Sequence, residues 1–119
     1  MKTILTIITT ICMWQISIAQ SVPLDSVQYY EGKTITVCAK VQGTYVTQGN
    51  SKTTYLNFGA PYPNTTFTGV IFASSMAFFN YIPAEHLKDK SVCITGQVEM
   101  YKGKPQIILK NEEQIKIQN

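Results

Sequence analysis

The sequence predicts an all-β protein: a five-stranded Greek-key barrel with one short helix between strands three and four. The chain has 119 residues, 45% of them hydrophobic, which suffices for one compact core and is too little for two. Residues 33–41 and 90–98 share one pattern, a lysine and a small hydroxyl residue followed by alternating apolar positions. Two such strands bracketing a meander are typical of a small closed barrel. The apolar positions are Ile35, Val37, Ala39 and Val41 in the first copy and Val92, Ile94, Gly96 and Val98 in the second.

The first strand follows a lead-in, residues 21–30, in which we expect residues 22–24 to pack on the barrel and residues 25–27 to start a short helical turn or a loop. Strand one is predicted from Thr34 to about Val41. Gly43 fits a bulge that bends this strand into residues 44–46, because glycine inside a strand often marks such a distortion. A polar turn at residues 48–52 then leads to the second strand.

Strands two and three are predicted over residues 53–58 and 67–73. The segment between them contains two prolines, which cannot donate to a strand ladder and therefore end strand two. The alternation places Leu56 and Phe58 inward in strand two. In strand three, the preferred parity turns Phe67 and Ile71 inward and Val70 and Phe72 outward.

A short helix is predicted over residues 74–80, with Ser74 or Ser75 as its cap. We expect its apolar residues to plug one end of the barrel; these are Met76, Phe78, Phe79 and the following Tyr81. A second helical turn at residues 83–87 leads to strand four, residues 91–100. A turn at 101–104 precedes strand five, residues 105–110, and residues 114–117 form a last extended piece. This order of strands and helix is that of the OB-fold.

The N-terminus has the features of a secretory leader. Lys2 precedes an apolar run at residues 4–13, and residues 17–19 supply the small side chains of a cleavage site. A membrane anchor would need a longer uninterrupted apolar span. We therefore expect residues 1–19 to be removed, leaving one domain over residues 20–119 that is periplasmic or secreted and not stably inserted in a membrane.

Removal of the leader would leave two cysteines, Cys38 and Cys93, in an oxidising compartment. Both lie on the face opposite the apolar positions of their strands. If these strands are antiparallel neighbours, the two thiols fall at one level on one face, the geometry of a cross-strand disulfide. Two reduced, half-buried thiols are the alternative.

The charge is modest, because ten lysines stand against seven acidic residues and the chain has no arginine. Such a balance permits nucleic-acid binding without arguing for it. The missing arginine counts against sequence-specific recognition of bases, for which the guanidinium group is the usual side chain.

Several segments resemble the small bacterial OB-fold modules that bind nucleic acids and occur in exported proteins. The matching segments are Gly32–Val37, Tyr55–Gly59, Phe67–Phe72, Val92–Val98 and Tyr101–Ile107. The resemblance covers nearly the whole chain after the leader and implies the fold more specifically than the ligand, because this fold also carries oligosaccharides, proteins and small molecules.

Ligands of this fold bind the outer face of strands two and three, flanked by the loops between strands one and two and between strands four and five. Single-stranded nucleic acid requires flat rings for stacking and cations along its backbone. The candidate residues are Tyr45, Lys52, Tyr55, Asn57, Phe72, Tyr101, Lys102 and Lys104. They predict weak, largely non-sequence-specific binding of single-stranded DNA or RNA. Taken singly, each fits an ordinary stabilising or solubilising role better than a binding role, and only the fold, by placing them together, favours a site.

The second hypothesis is a non-enzymatic periplasmic binding or adaptor domain for a protein, peptide or glycan. Under both hypotheses we expect the protein not to be an enzyme, because the sequence offers no catalytic triad, close carboxylate pair or phosphate-binding glycine loop. No cofactor is expected. No metal is expected either, since His86 and two separate cysteines do not make a ligand set.

Overall fold

The structure, a computed structural model, describes residues 21–119. Its strands are β1 (Thr34–Val46), β2 (Thr54–Phe58), β3 (Phe67–Ile71), β4 (Ser91–Tyr101), β5 (Lys104–Ile108) and β6 (Ile115–Ile117). The helical segments are three 3-10 helices, Leu24–Tyr30, Ala73–Phe78 and Glu112–Gln114, and one α-helical turn, Pro83–His86. The predicted leader at residues 1–19 lies outside the described residues.

The first five strands close into a barrel, which confirms the predicted fold. Neighbouring strands follow the order β1-β2-β3-β5-β4, and β4 also pairs with β1. All these pairs are antiparallel except β3 with β5, which are parallel. We call the antiparallel pairing of β1 with β4 the seam, because it converts the sheet into a cylinder. The predicted extended piece near the C-terminus is β6, which pairs with the first half of β4.

The core lies inside the barrel because the strands alternate as predicted. Phe58 and Phe67 are buried and face each other across β2 and β3, with ring centroids 5.5 Å apart. Phe67 and Ile71 belong to the core cluster, whereas Val70, although buried, does not, so the preferred parity of strand three is confirmed. The predicted bulge is confirmed by a register shift between Val41 and Gly43 in the pairing of β1 with β2.

The connection between β3 and β4 differs from the prediction. Its first helix is a 3-10 helix that begins at Ala73 after Phe72 and has no side-chain cap, so neither Ser74 nor Ser75 caps it. Met76 packs on the core from within this helix, and Phe79 and Tyr81, which follow the helix, pack there as well. Phe78 is 67% exposed and does not plug the barrel. The lead-in is confirmed as helical, and its Val27 is fully buried.

The seam carries the predicted disulfide on its outer face. Cys38 and Cys93 are direct partners in the β1–β4 register and are bonded to each other. Next to them the hydroxyls of Thr36 and Thr95 share a hydrogen bond of 2.8 Å. The bond is compatible with an oxidising, extracellular compartment. Within residues 21–119, none of the helices has the length and apolar character needed to cross a membrane.

Candidate functional site

The outward side chains of β2, β3 and β5, with the adjoining ends of β1 and β4, form a continuous surface that we call the outer wall. One row of direct cross-strand neighbours runs over four strands. We call it the tyrosine row; it consists of Tyr45, Tyr55, Val70 and Ile108. The rings of Tyr45 and Tyr55 are nearly parallel, with an interplanar angle of 23° and centroids 6.4 Å apart. Tyr45 is 54% exposed and Tyr55 and Ile108 are half-buried, whereas Val70 is only 2% exposed, so the row presents aromatic surface to solvent at its tyrosine end.

A second row lies two residues further along the same strands, about 7 Å away. We call it the polar row; in register order it consists of Asn57, Thr68, Gln106 and Glu99. Asn57 is only 7% exposed, whereas Thr68 and Gln106 are half-buried and Glu99 is exposed. The accessible hydrogen-bonding groups of this row therefore concentrate toward β5 and β4.

The β4–β5 hairpin borders the wall on one side. Tyr101 and Lys104 are direct partners on its outward face, joined by a two-residue turn. Lys102 and Gly103 both have positive φ, 50° and 79°, the conformation that tight hairpins need and glycine accepts readily. The ammonium of Lys102 lies 5.4 Å from the centroid of the Tyr101 ring. The hairpin therefore presents an aromatic ring and a cation together.

The loop between β2 and β3 is tied to this hairpin. The Lys104 ammonium donates a hydrogen bond of 3.1 Å to the carbonyl oxygen of Pro63. The neighbouring Tyr62 is 81% exposed. The β1–β2 loop borders the opposite side of the wall and exposes Lys52.

The structure brings most of the predicted site residues onto one surface. Tyr45, Tyr55 and Asn57 occupy the two rows, and Lys52, Tyr101, Lys102 and Lys104 occupy the flanking loops. Phe72 follows the end of β3 and is 43% exposed. The direct partner of Tyr55 is Val70 and not Phe72, so Phe72 contributes at the margin of the wall.

Sequence reasoning missed the contribution of β5 and the end of β4. Gln106, Ile108 and Glu99 belong to the wall because β5 inserts between β3 and β4. The alternation of Lys104, Gln106 and Ile108 against the buried Pro105 and Ile107 was a usable signal for the outward face of β5. The parallel pairing with β3 had no local signal.

A side chain with a shifted pKa, Tyr81, lies away from the outer wall. Burial, and then the nearby Glu112 carboxylate, raise the pKa of the Tyr81 phenol above its usual value. Tyr81 stacks on His86, with centroids 4.4 Å apart. Residues 21–119 contain no group of three or more His, Cys, Asp or Glu side chains that could hold a metal ion.

The comparisons with known proteins agree with the barrel. No family model and no curated protein matches the chain. A solved structure described as an OBody bound to hen egg-white lysozyme superimposes with a TM-score of 0.51 at 18% identity, over 77% of this chain and 85% of that one. Asparaginyl-tRNA synthetase from Pyrococcus horikoshii superimposes with a TM-score of 0.53 at 12% identity, over 83% of this chain and 23% of the synthetase. At these identities the likeness shows the fold alone, which is the OB-fold barrel.

Proposed function

We propose that this protein binds single-stranded DNA or RNA along the outer wall, weakly and with little dependence on sequence overall. The observation that carries the proposal is the pair of nearly parallel tyrosine rings on adjacent strands, the exposed Tyr45 and the half-buried Tyr55. Every base has a face that can stack on such rings, and each stacked base contributes about 1–3 kcal/mol. The tyrosine row crosses three strand spacings, about 14 Å, enough for a short run of nucleotides.

The lysines on the two flanking loops supply the electrostatic part of the binding. Lys52 on one side and Lys102 on the other are exposed, so both can approach a phosphate. Lys104 is already donating to Pro63 and fixes the loop rather than reaching outward. So few cations predict a weak complex that dissociates at moderate salt.

The protein acts in this proposal by binding alone, without catalysis, outside the cytoplasm and after removal of residues 1–19. The Cys38–Cys93 bond supports this location, because disulfides persist in oxidising compartments. The likeness to a tRNA synthetase, an enzyme whose name identifies an RNA substrate, supports the ligand class at the level of the fold.

The second candidate is a protein-binding module that uses the same wall. It is favoured by the likeness to the OBody, which is bound to a protein, lysozyme. Exposed tyrosines also suit protein interfaces, where they are enriched. Under this proposal, oligonucleotides do not bind at any salt concentration.

The test is a fluorescence anisotropy titration at low salt with labelled eight-nucleotide single strands of DNA and RNA, the corresponding duplex and a panel of glycans. We expect both single strands to bind and the duplex to bind more weakly, because paired bases do not expose their faces to the tyrosines. Binding of a glycan alone, or of no probe, would reject the nucleic-acid proposal.

The site itself is tested by replacing Tyr45 and Tyr55 with alanine. We expect binding to weaken by about 1–3 kcal/mol for each base that loses its stacking partner. The matched control is Tyr29→Ala, because Tyr29 is 78% exposed but lies in the first 3-10 helix, outside the wall. An equal loss in the control would show that the wall is not the site.

A further inference from the structure

The polar row carries one acidic side chain on a surface that is otherwise aromatic, neutral or basic. Glu99 is exposed and is the direct cross-strand partner of Gln106. Gln106 lies beside Thr68 through the parallel pairing of β5 with β3. A carboxylate and an amide therefore stand next to each other at the end of the row that ligands can reach.

A carboxylate at this position cannot bind the phosphates of the nucleic-acid backbone. It repels phosphates, so the backbone must pass along the lysine-bearing loops and leave the bases to face the strands. A carboxylate accepts hydrogen bonds and donates none, whereas a glutamine amide does both. The Glu99–Gln106 pair is therefore suited to a base edge on which a donor stands next to an acceptor.

The spacing of the two rows brings base edges to this pair. Gln106 and Ile108 are two residues apart on β5, so the two rows are separated by about 7 Å. A base packed against the half-buried side chain of Ile108 would have its edge within reach of Gln106, two residues away on the same strand. Single strands can present their Watson–Crick edges in this way, because those edges are unpaired.

We infer that Glu99 and Gln106 recognise a Watson–Crick edge that carries an amino group beside a ring acceptor, the pair that cytosine and adenine present and uracil lacks, so that cytosine is preferred to uracil here. The amino group at cytosine N4 donates to Glu99, as acidic side chains accept from this group in base recognition. The Gln106 amide donates to the adjacent ring acceptor. Uracil carries a carbonyl oxygen in place of the amino group and therefore faces the carboxylate with an acceptor. This inference rests on the proposed function and refines it.

The experiment compares labelled dC8 with dU8 by anisotropy at low salt, since these oligomers differ only in the base edge under study. We expect the wild-type protein to bind dC8 about fivefold more tightly, the lower range of what one good side-chain contact to a base supplies. In the Glu99→Gln variant we expect the two affinities to agree within about twofold, because an amide can turn either group toward the base. The two affinities should become similar partly because the variant binds dU8 more tightly than the wild type does.

The control is Glu113→Gln, which removes the same charge from an exposed side chain in the 3-10 helix before β6. It should keep the preference for dC8. Equal affinities for dC8 and dU8 in the wild type would overturn the inference and leave the proposed function standing. A preference that survives Glu99→Gln would overturn the role of Glu99. Failure of every oligonucleotide to bind would reject the proposed function and this inference with it.

Discussion

Cys38 lies directly opposite Cys93 across the seam, with 3.9 Å between their Cα atoms. The bond joins residues 55 positions apart in the sequence, and these positions include all of β2 and β3. It therefore closes covalently the same ring that the β1–β4 hydrogen bonds close non-covalently. The strands that carry the tyrosine pair lie inside this closed loop.

Replacing both cysteines with serine is expected to lower the free energy of unfolding by about 2–4 kcal/mol, because the unfolded chain regains the freedom of a long loop. Urea unfolding followed by circular dichroism measures this change. A reducing agent should lower the midpoint of the wild type and leave that of the variant unchanged. The mass of the unreduced wild type should also be two hydrogens below that of the reduced protein; equal masses would contradict the bond.

Gly96 is expected to be intolerant of any side chain. A Cβ added there would collide with the side chain of Ile107 inside the barrel. We expect Gly96→Ala to cost about 1–3 kcal/mol of unfolding free energy, the usual penalty for overpacking a core. The control is Gly43→Ala, where an added Cβ meets nothing within 4 Å and should change stability by less than about 0.5 kcal/mol. If urea unfolding shows that both substitutions change the unfolding free energy equally, the close packing of Gly96 against Ile107 would be contradicted.

The salt dependence of oligonucleotide binding should report on the loop lysines. A site that neutralises two or three phosphates predicts a log–log slope of roughly −2 for a single strand. Removing Lys52 and Lys102 together should make the slope shallower by about 1.4. Lys40 and Lys116 provide the control pair, because the register places them beside the disulfide, on the opposite side of the barrel. A slope that changes equally in both double variants would show that the loops do not contact the backbone.

Tyr81 should make stability fall at alkaline pH. Its pKa is raised in the folded protein by burial and by Glu112, so the unfolded chain loses this proton first as the pH rises. Its contribution is therefore complete below the unfolded pKa of about 10 and is lost as the pH rises through the folded value. Tyr81→Phe should flatten the decline of stability in this range relative to the wild type. An unchanged pH profile, or a normal Tyr81 titration in ultraviolet absorbance, would contradict this.

The sequence was sufficient to predict the barrel and half of the wall. Alternation identified the inward face of each strand, and the antiparallel matching of residues 33–41 with 90–98 placed Cys38 against Cys93. The tyrosines and lysines of the site were found because the fold assigns them to two strands and two loops.

The rest of the outer wall, and the burial of the residues after β3, depend on contacts that no local sequence pattern indicates. Gln106 and Ile108 joined the wall through pairing with β3, a strand more than thirty residues away in the sequence. Phe78 was predicted to plug the barrel from its hydrophobicity, but the 3-10 helix ends at Phe78 and the chain continues extended at Phe79, so Met76 and Phe79 pack on the core and Phe78 stays outside. Propensity alone does not distinguish these two outcomes.

The position of the disulfide affects how the protein withstands proteolysis. The exposed loops at residues 47–53 and 59–66 both lie between Cys38 and Cys93. A single cut in either loop therefore yields two fragments that remain covalently attached and held in register by the strands. A nicked molecule can keep its outer wall intact until a reductant separates the pieces.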